Sequence, residues 1–127
     1  MRISSGLPGN LKVLIVDDDP LLCEVMEVVL GMKARVAEVQ TATSAAAALD
    51  LYVQFWPDVV IVDHFMPVID GDKLGGMLRE IHPDTWLLSM TGSSGKPKPE
   101  WADVHVMKNG DLFRMLDEMF VGGIAPA

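Results

Sequence analysis

The chain has 127 residues, room for one domain, and 50% of them are hydrophobic, enough for a core without staples. Eighteen acidic residues against ten basic ones leave a formal charge of −8, which repels phosphate backbones and argues against direct DNA or RNA binding. The lone cysteine, Cys23, excludes an internal disulfide and a cysteine-built zinc site, and no apolar run nears the ~20 residues that span a membrane.

Residues 1–10 hold Ser4, Ser5, Gly6, Pro8 and Gly9 and read as a flexible lead-in without a signal peptide's apolar stretch, so a cytoplasmic location is expected. Residues 11–16 form a nearly continuous apolar run, the pattern of a strand covered on both faces. Asp17-Asp18-Asp19-Pro20 stops it. Asp19 is placed to cap a helix from Pro20 to about Met32, with Leu21, Leu22, Val25, Met26, Val29 and Met32 at helical spacing and Cys23 as a small core residue.

Residues 34–42 read as a weaker strand nearer an edge, and Ser44 caps an alanine-rich helix from Ala45 to about Gln54. Asp58 to Val62 is a second buried strand, delivering Asp63 at its carboxyl end. After a loop with Pro67 and Gly71, Lys73 to Ile81 is helical. Thr85 to Met90 is the fourth strand and delivers Thr91; residues 92–100 read as loop. Asp103 to Met107 is a short fifth strand delivering Lys108. A last helix from Asp111 to Val121 carries Leu112, Phe113, Leu116, Met119 and Phe120 as its apolar stripe, and residues 122–127 read as a tail or linker.

Alternating strands and helices imply right-handed βαβ units and a parallel sheet between helical layers, hence an α/β fold over residues 11–121. Ligands of such sheets bind outside the carboxyl ends of the strands. Those ends carry Asp17 and Asp18, Asp63, Thr91 and Lys108. Carboxylates ~4 Å apart repel by about 4 kcal/mol at an effective dielectric of 20, so the cluster calls for protonation, a cation or nearby positive groups. All-oxygen ligands suit a hard ion, and Mg²⁺ takes one or two carboxylates, waters and a phosphate oxygen. Lys108 adds a mobile positive charge suited to a phosphoryl group.

In order, and in their place at the strand ends, these residues resemble the receiver domains of bacterial response regulators. The resemblance rests on the acidic pair Asp17-Asp18, on Asp63 with Met66-Pro67 and Asp70-Gly71 downstream, on Thr91-Gly92, and on Lys108. It implies a flavodoxin-like, doubly wound five-stranded parallel sheet in the order 2-1-3-4-5. It also implies Mg²⁺-dependent phosphoryl transfer from a histidine kinase or phosphotransfer protein to Asp63, switching the binding of a downstream protein partner. Asp18 and Asp63 would ligate the ion directly, Asp17 through water, and Phe65 through its backbone carbonyl. Thr91 and Lys108 would hold phosphoryl oxygens. The domain would be substrate and catalyst together rather than an enzyme in the usual sense.

Several positions depart from that pattern. Thr91 and Lys108 stand close in sequence, and Gly92, Gly95, Pro97 and Pro99 leave the fourth helix short or absent, with at most a turn near Pro99. Asn109-Gly110 follows Lys108 where the family places proline, and His105 stands three before it as a half-exposed strand histidine. His64 reads as a lid beside the pocket. Phe65, apolar near the attacking water, is expected to slow phosphoryl loss. Trp56, Trp86 and Trp101 read as core or partner-contact residues. Two other readings stay open. A haloacid-dehalogenase-type phosphatase would need a second Asp two residues after its nucleophile; position 65 is Phe, and although Asp19 does follow Asp17, that class's cap insertion and length are missing. A degenerate receiver would bind partners constitutively.

Overall fold

The computed structural model describes residues 10–33, 35–64, 66, 70–92 and 97–120, apart from the Met119 side chain. The expected lead-in and tail therefore fall almost wholly outside the described residues. Strands β1 (Leu11–Val16), β2 (Val36–Ala42), β3 (Val59–Asp63), β4 (Trp86–Thr91) and β5 (Val104–Met107) form one parallel sheet. Their order is β2-β1-β3-β4-β5, as the resemblance implied. Helices α1 (Pro20–Gly31), α2 (Ala45–Phe55), α3 (Gly71–Ile81) and α4 (Gly110–Phe120) cover its two faces.

The pleat explains the apolar runs. Leu11, Val13 and Ile15 of β1, Val59 and Ile61 of β3, and Trp86, Leu88 and Met90 of β4 point to one core, built with α1 and α4. Leu14, Val16, Val60, Val62 and Leu87, of the opposite parity, point to a second core with α2 and α3. Both faces of the central strands are thus buried, which is why they lack polar alternation. β2, at the sheet edge, has only half-buried or exposed residues until Ala42.

Helix starts follow their caps. Asp19 accepts from the Leu21 and Leu22 amides with Pro20 in the first turn, Ser44 accepts from Ala47 N, and Asp70 accepts from Lys73 N. α3 therefore begins at Gly71 rather than at Lys73 as expected, because Asp70 caps it.

The apolar stripe expected for α1 is corrected. Its buried residues are Cys23, Met26 and Leu30, while Leu21, Val25 and Met32 are exposed at 67%, 42% and 73%. α1 is apolar nearly all round, so spacing alone does not fix which face packs inward.

Between β4 and β5 no described residue is helical; 97–99 are irregular and 100–101 a turn. Trp101 fills the space instead. It is 7% exposed, and a Cβ at Gly75 of α3 would lie 2.2 Å from its ring. Its indole Nε1 donates to Asp72 at 2.7 Å. Arg79 fixes the segment by donating to the carbonyls of Trp101, Pro83 and Thr85 and to Asp103. Trp101 is thus a core residue that stands in for helix packing. No helix among the described residues is long and apolar enough to cross a membrane.

Candidate functional site

Parallel pairing brings the strand ends to one edge. Val16 of β1 is registered with Val62 of β3, so Asp17 and Asp63 emerge side by side, and Asp63 is registered with Met90, the neighbour of Thr91. Carboxylate oxygens of Asp17, Asp18 and Asp63 lie within 4.8 Å of one another. Asp17 and Asp63 are buried, at 0% and 3%, whereas Asp18 faces solvent.

Lys108 reaches into this cluster. Its Nζ lies 2.8 Å from Asp17 Oδ2 and 3.4 Å from Asp63 Oδ2. The strand pairing aims it, because Lys108 N donates to Thr91 O at 2.7 Å. Burial works to depress the ammonium pKa, but the hydrogen bond and charge of Asp17, then those of Asp63, outweigh it and raise the value above 10.5. A raised lysine contributes stability that is complete below its ordinary pKa and is lost as pH rises through the folded value. Chemical denaturation of the wild type and of Lys108→Met should therefore diverge most at neutral pH and converge above pH ~10.5. A constant gap across that range would contradict the pairing.

The first loop is also built inward. Asp19 N donates to Asp17 Oδ1 at 2.8 Å, so Asp19 holds Asp17 through its backbone while its side chain caps α1. Cys23 Sγ donates to the Asp17 carbonyl at 3.4 Å. Burial and the Asp17 charge push the Cys23 thiol up to about 11, which makes it a protonated packing residue.

On the other flank, Gly71 N donates to the His64 carbonyl at 3.1 Å. A Cβ on Gly71 would stand 1.6 Å from the Asp63 carbonyl oxygen, so α3 can start against the end of β3 only with glycine there. The Asp-Gly pair was legible as part of a resemblance; this steric reason was not.

The structure therefore brings together Asp17, Asp18, Asp63 and Lys108. Thr91 is buried at the end of β4, on the strand beside Asp63. Phe65, expected to offer its carbonyl, lies outside the described residues. His64 stands beside His105, ring centroids 6.4 Å apart, and His105 is half-buried with Nδ1 2.9 Å from Ser89 Oγ. His64 also borders a surface depression with Asp72, Lys98 and Trp101.

Among known proteins, the family described as "Response regulator receiver domain" matches residues 13–107. A protein-glutamate methylesterase/protein-glutamine glutaminase of Methanosarcina mazei is 31% identical over 87 residues, 68% of this chain and 24% of that protein. The probable transcriptional regulatory protein NarL of Mycobacterium tuberculosis is 33% identical over 86 residues, 68% of this chain and 40% of that protein. The chain thus spans less than half the length of these relatives. Among solved structures, the response regulator TrrA of Thermotoga maritima in complex with Mg²⁺ and BeF superposes with a TM-score of 0.74 at 26% identity, covering 86% of this chain and 98% of that one.

Proposed function

Because this chain belongs to the response regulator receiver domain family of two-component signalling, we propose that Asp63 is its phosphoacceptor and that the carboxylate pocket binds Mg²⁺. The observation that carries this reading is the Lys108 ammonium set between two buried carboxylates at the mouth of a three-aspartate cluster. Three carboxylates against one ammonium leave about two negative charges uncompensated, a balance that suits a divalent ion with oxygen preference. Asp17, Asp18, Asp63 and the Phe65 carbonyl would hold that ion. When bound, it supplies charge neutralisation for an incoming phosphoryl group.

The chain's own residues do the rest. A phosphohistidine of a histidine kinase or phosphotransfer protein presents its phosphorus to Asp63, whose carboxylate attacks as the P–N bond breaks and the imidazole takes a proton. Lys108 shifts from carboxylate to phosphoryl oxygen, and the Thr91 hydroxyl donates to another. Positioning and charge compensation account for such a transfer without acid–base chemistry at the acceptor. The acyl phosphate is labile, so the domain, in the cytoplasm, acts as a timed switch for a downstream protein. It turns over no separate substrate. The exposed apolar residues Leu21, Val25 and Val28 of α1 begin beside the pocket and offer the donor protein a docking face.

Incubation with a phosphorylated histidine phosphotransfer protein tests this reading. Uptake of one acid-stable, hydroxylamine-labile phosphoryl group that disappears with EDTA is the expected result. Sustained release of phosphate from a phosphate ester would instead favour a phosphatase.

A further inference from the structure

The amino ends of the strands, opposite the carboxylate pocket, carry an aromatic cluster with no part in phosphoryl chemistry. Trp56 closes α2 in the left-handed conformation, φ 51 and ψ 67. Helices usually place glycine there, because a Cβ crowds the following carbonyl oxygen. Among the described residues it is the one non-glycine with positive φ. Its ring stacks on His82, with centroids 4.3 Å apart and planes 19° from parallel, and meets Tyr52 edge-on at 5.3 Å.

His82 is anchored from within. Its Nδ1 lies 2.8 Å from Tyr52 Oη and also contacts Thr85 Oγ1, while Tyr52 Oη and Thr85 Oγ1 are 2.6 Å apart. Tyr52 and Thr85 are both buried. The imidazole is thus a fixed plate, and the indole lying on it remains 48% exposed. Val53, one turn earlier on α2, and Ile81, next to His82, are exposed as well, at 68% and 48%.

The exposed charges beside this patch are acidic. Asp50, Glu80 and Asp84 are exposed beside Val53, Ile81 and His82. The nearby cations are already engaged: Lys12 lies over the Phe55 ring at 5.3 Å, and Arg79 donates to the Pro83 and Thr85 carbonyls. A rigid tryptophan with apolar neighbours and an acidic rim has the composition of an interface anchor, and its exposed face suits a guanidinium.

The geometry points to a docking site here for a partner segment that presents an apolar anchor flanked by Arg or Lys. A second copy of the chain is disfavoured as occupant, because the acidic rim would face itself. The site lies at the end of the sheet away from Asp63, so docking is independent of phosphorylation and tethers the domain in either state.

A fluorescent peptide with two leucines flanked by arginines, and its glutamate-flanked counterpart, serve as probes in anisotropy titrations of the full chain. The arginine peptide should bind, with equal affinity in the presence and absence of beryllofluoride, and the glutamate peptide should not. Trp56→Gly retains a residue suited to the left-handed cap, so the fold survives, and affinity should fall by about tenfold or more. Absence of binding, equal binding of both peptides, or unchanged binding by Trp56→Gly overturns the proposal. A wild type that sediments as a dimer beside a monomeric Trp56→Gly overturns it too, assigning the patch to a second copy.

Discussion

Asp63→Asn is expected to abolish phosphoryl uptake and to leave the fold standing. The amide has the shape of the carboxylate but neither its charge nor its nucleophilic oxygen pair, so no acyl phosphate forms. Stability should change little, within about 1 kcal/mol, because two effects oppose each other. The substitution removes the attraction between Asp63 and Lys108, 3.4 Å away, and it relieves repulsion by Asp17 and Asp18. Lys108 keeps its shorter contact with Asp17 at 2.8 Å. Intact-protein mass spectrometry after acetyl phosphate treatment, beside a thermal melt, checks both halves. Full labelling of the variant would move the acceptor elsewhere, and loss of the cooperative melt would make Asp63 a structural residue.

Gly71→Ala should damage the fold and the site together. The added methyl would stand 1.6 Å from the Asp63 backbone oxygen, 2.6 Å from its carbonyl carbon and 3.0 Å from the His64 Cα. Backbone atoms of a buried central strand do not yield as a flexible side chain would, so α3 must back away from β3. That shift loosens the Leu74 and Leu78 packing and the Gly71 to His64 hydrogen bond. A destabilisation of about 2–4 kcal/mol is expected, in the range of overpacked cores. Gly76→Ala on the same helix, where a Cβ meets nothing within 4 Å, should be neutral or slightly stabilising. Urea denaturation of the two variants separates a helix-propensity effect from the steric one, and equal behaviour would contradict the close contact.

Much of the architecture was legible because the buried strands announce themselves. Residues 11–16, Lys12 apart, and 59–62 are apolar without alternation, and each run leads into an aspartate, so strand type, burial and the edge carrying the chemistry all follow from one pattern. Caps were legible for a similar reason: Asp19-Pro20 and Ser44 name helix starts by side-chain chemistry alone. The phase of α1 was not, since valines, leucines and methionines lie all round it and only the sheet decides that Cys23, Met26 and Leu30 go inward. Nor was the role of Trp101. Its seat needs a glycine 26 positions earlier in the chain and a carbonyl bracket from Arg79, contacts that no local pattern encodes. The carboxylate cluster was readable as a set of strand ends. The 2.8 Å contact that places Lys108 on Asp17 rather than nearest Asp63 is set by how β5 packs against its neighbours and has no local sequence signal.

The central claim is that one aspartate among three neighbours takes the phosphoryl group. Reduction of the phosphorylated chain with borohydride, followed by peptide mass mapping, reads that residue directly. The peptide containing Asp63 should carry the reduced product, with Asp17 and Asp18 unmodified. Reduction at either of those two, or no reducible acyl phosphate after treatment with Mg²⁺ and a competent donor, would contradict the account.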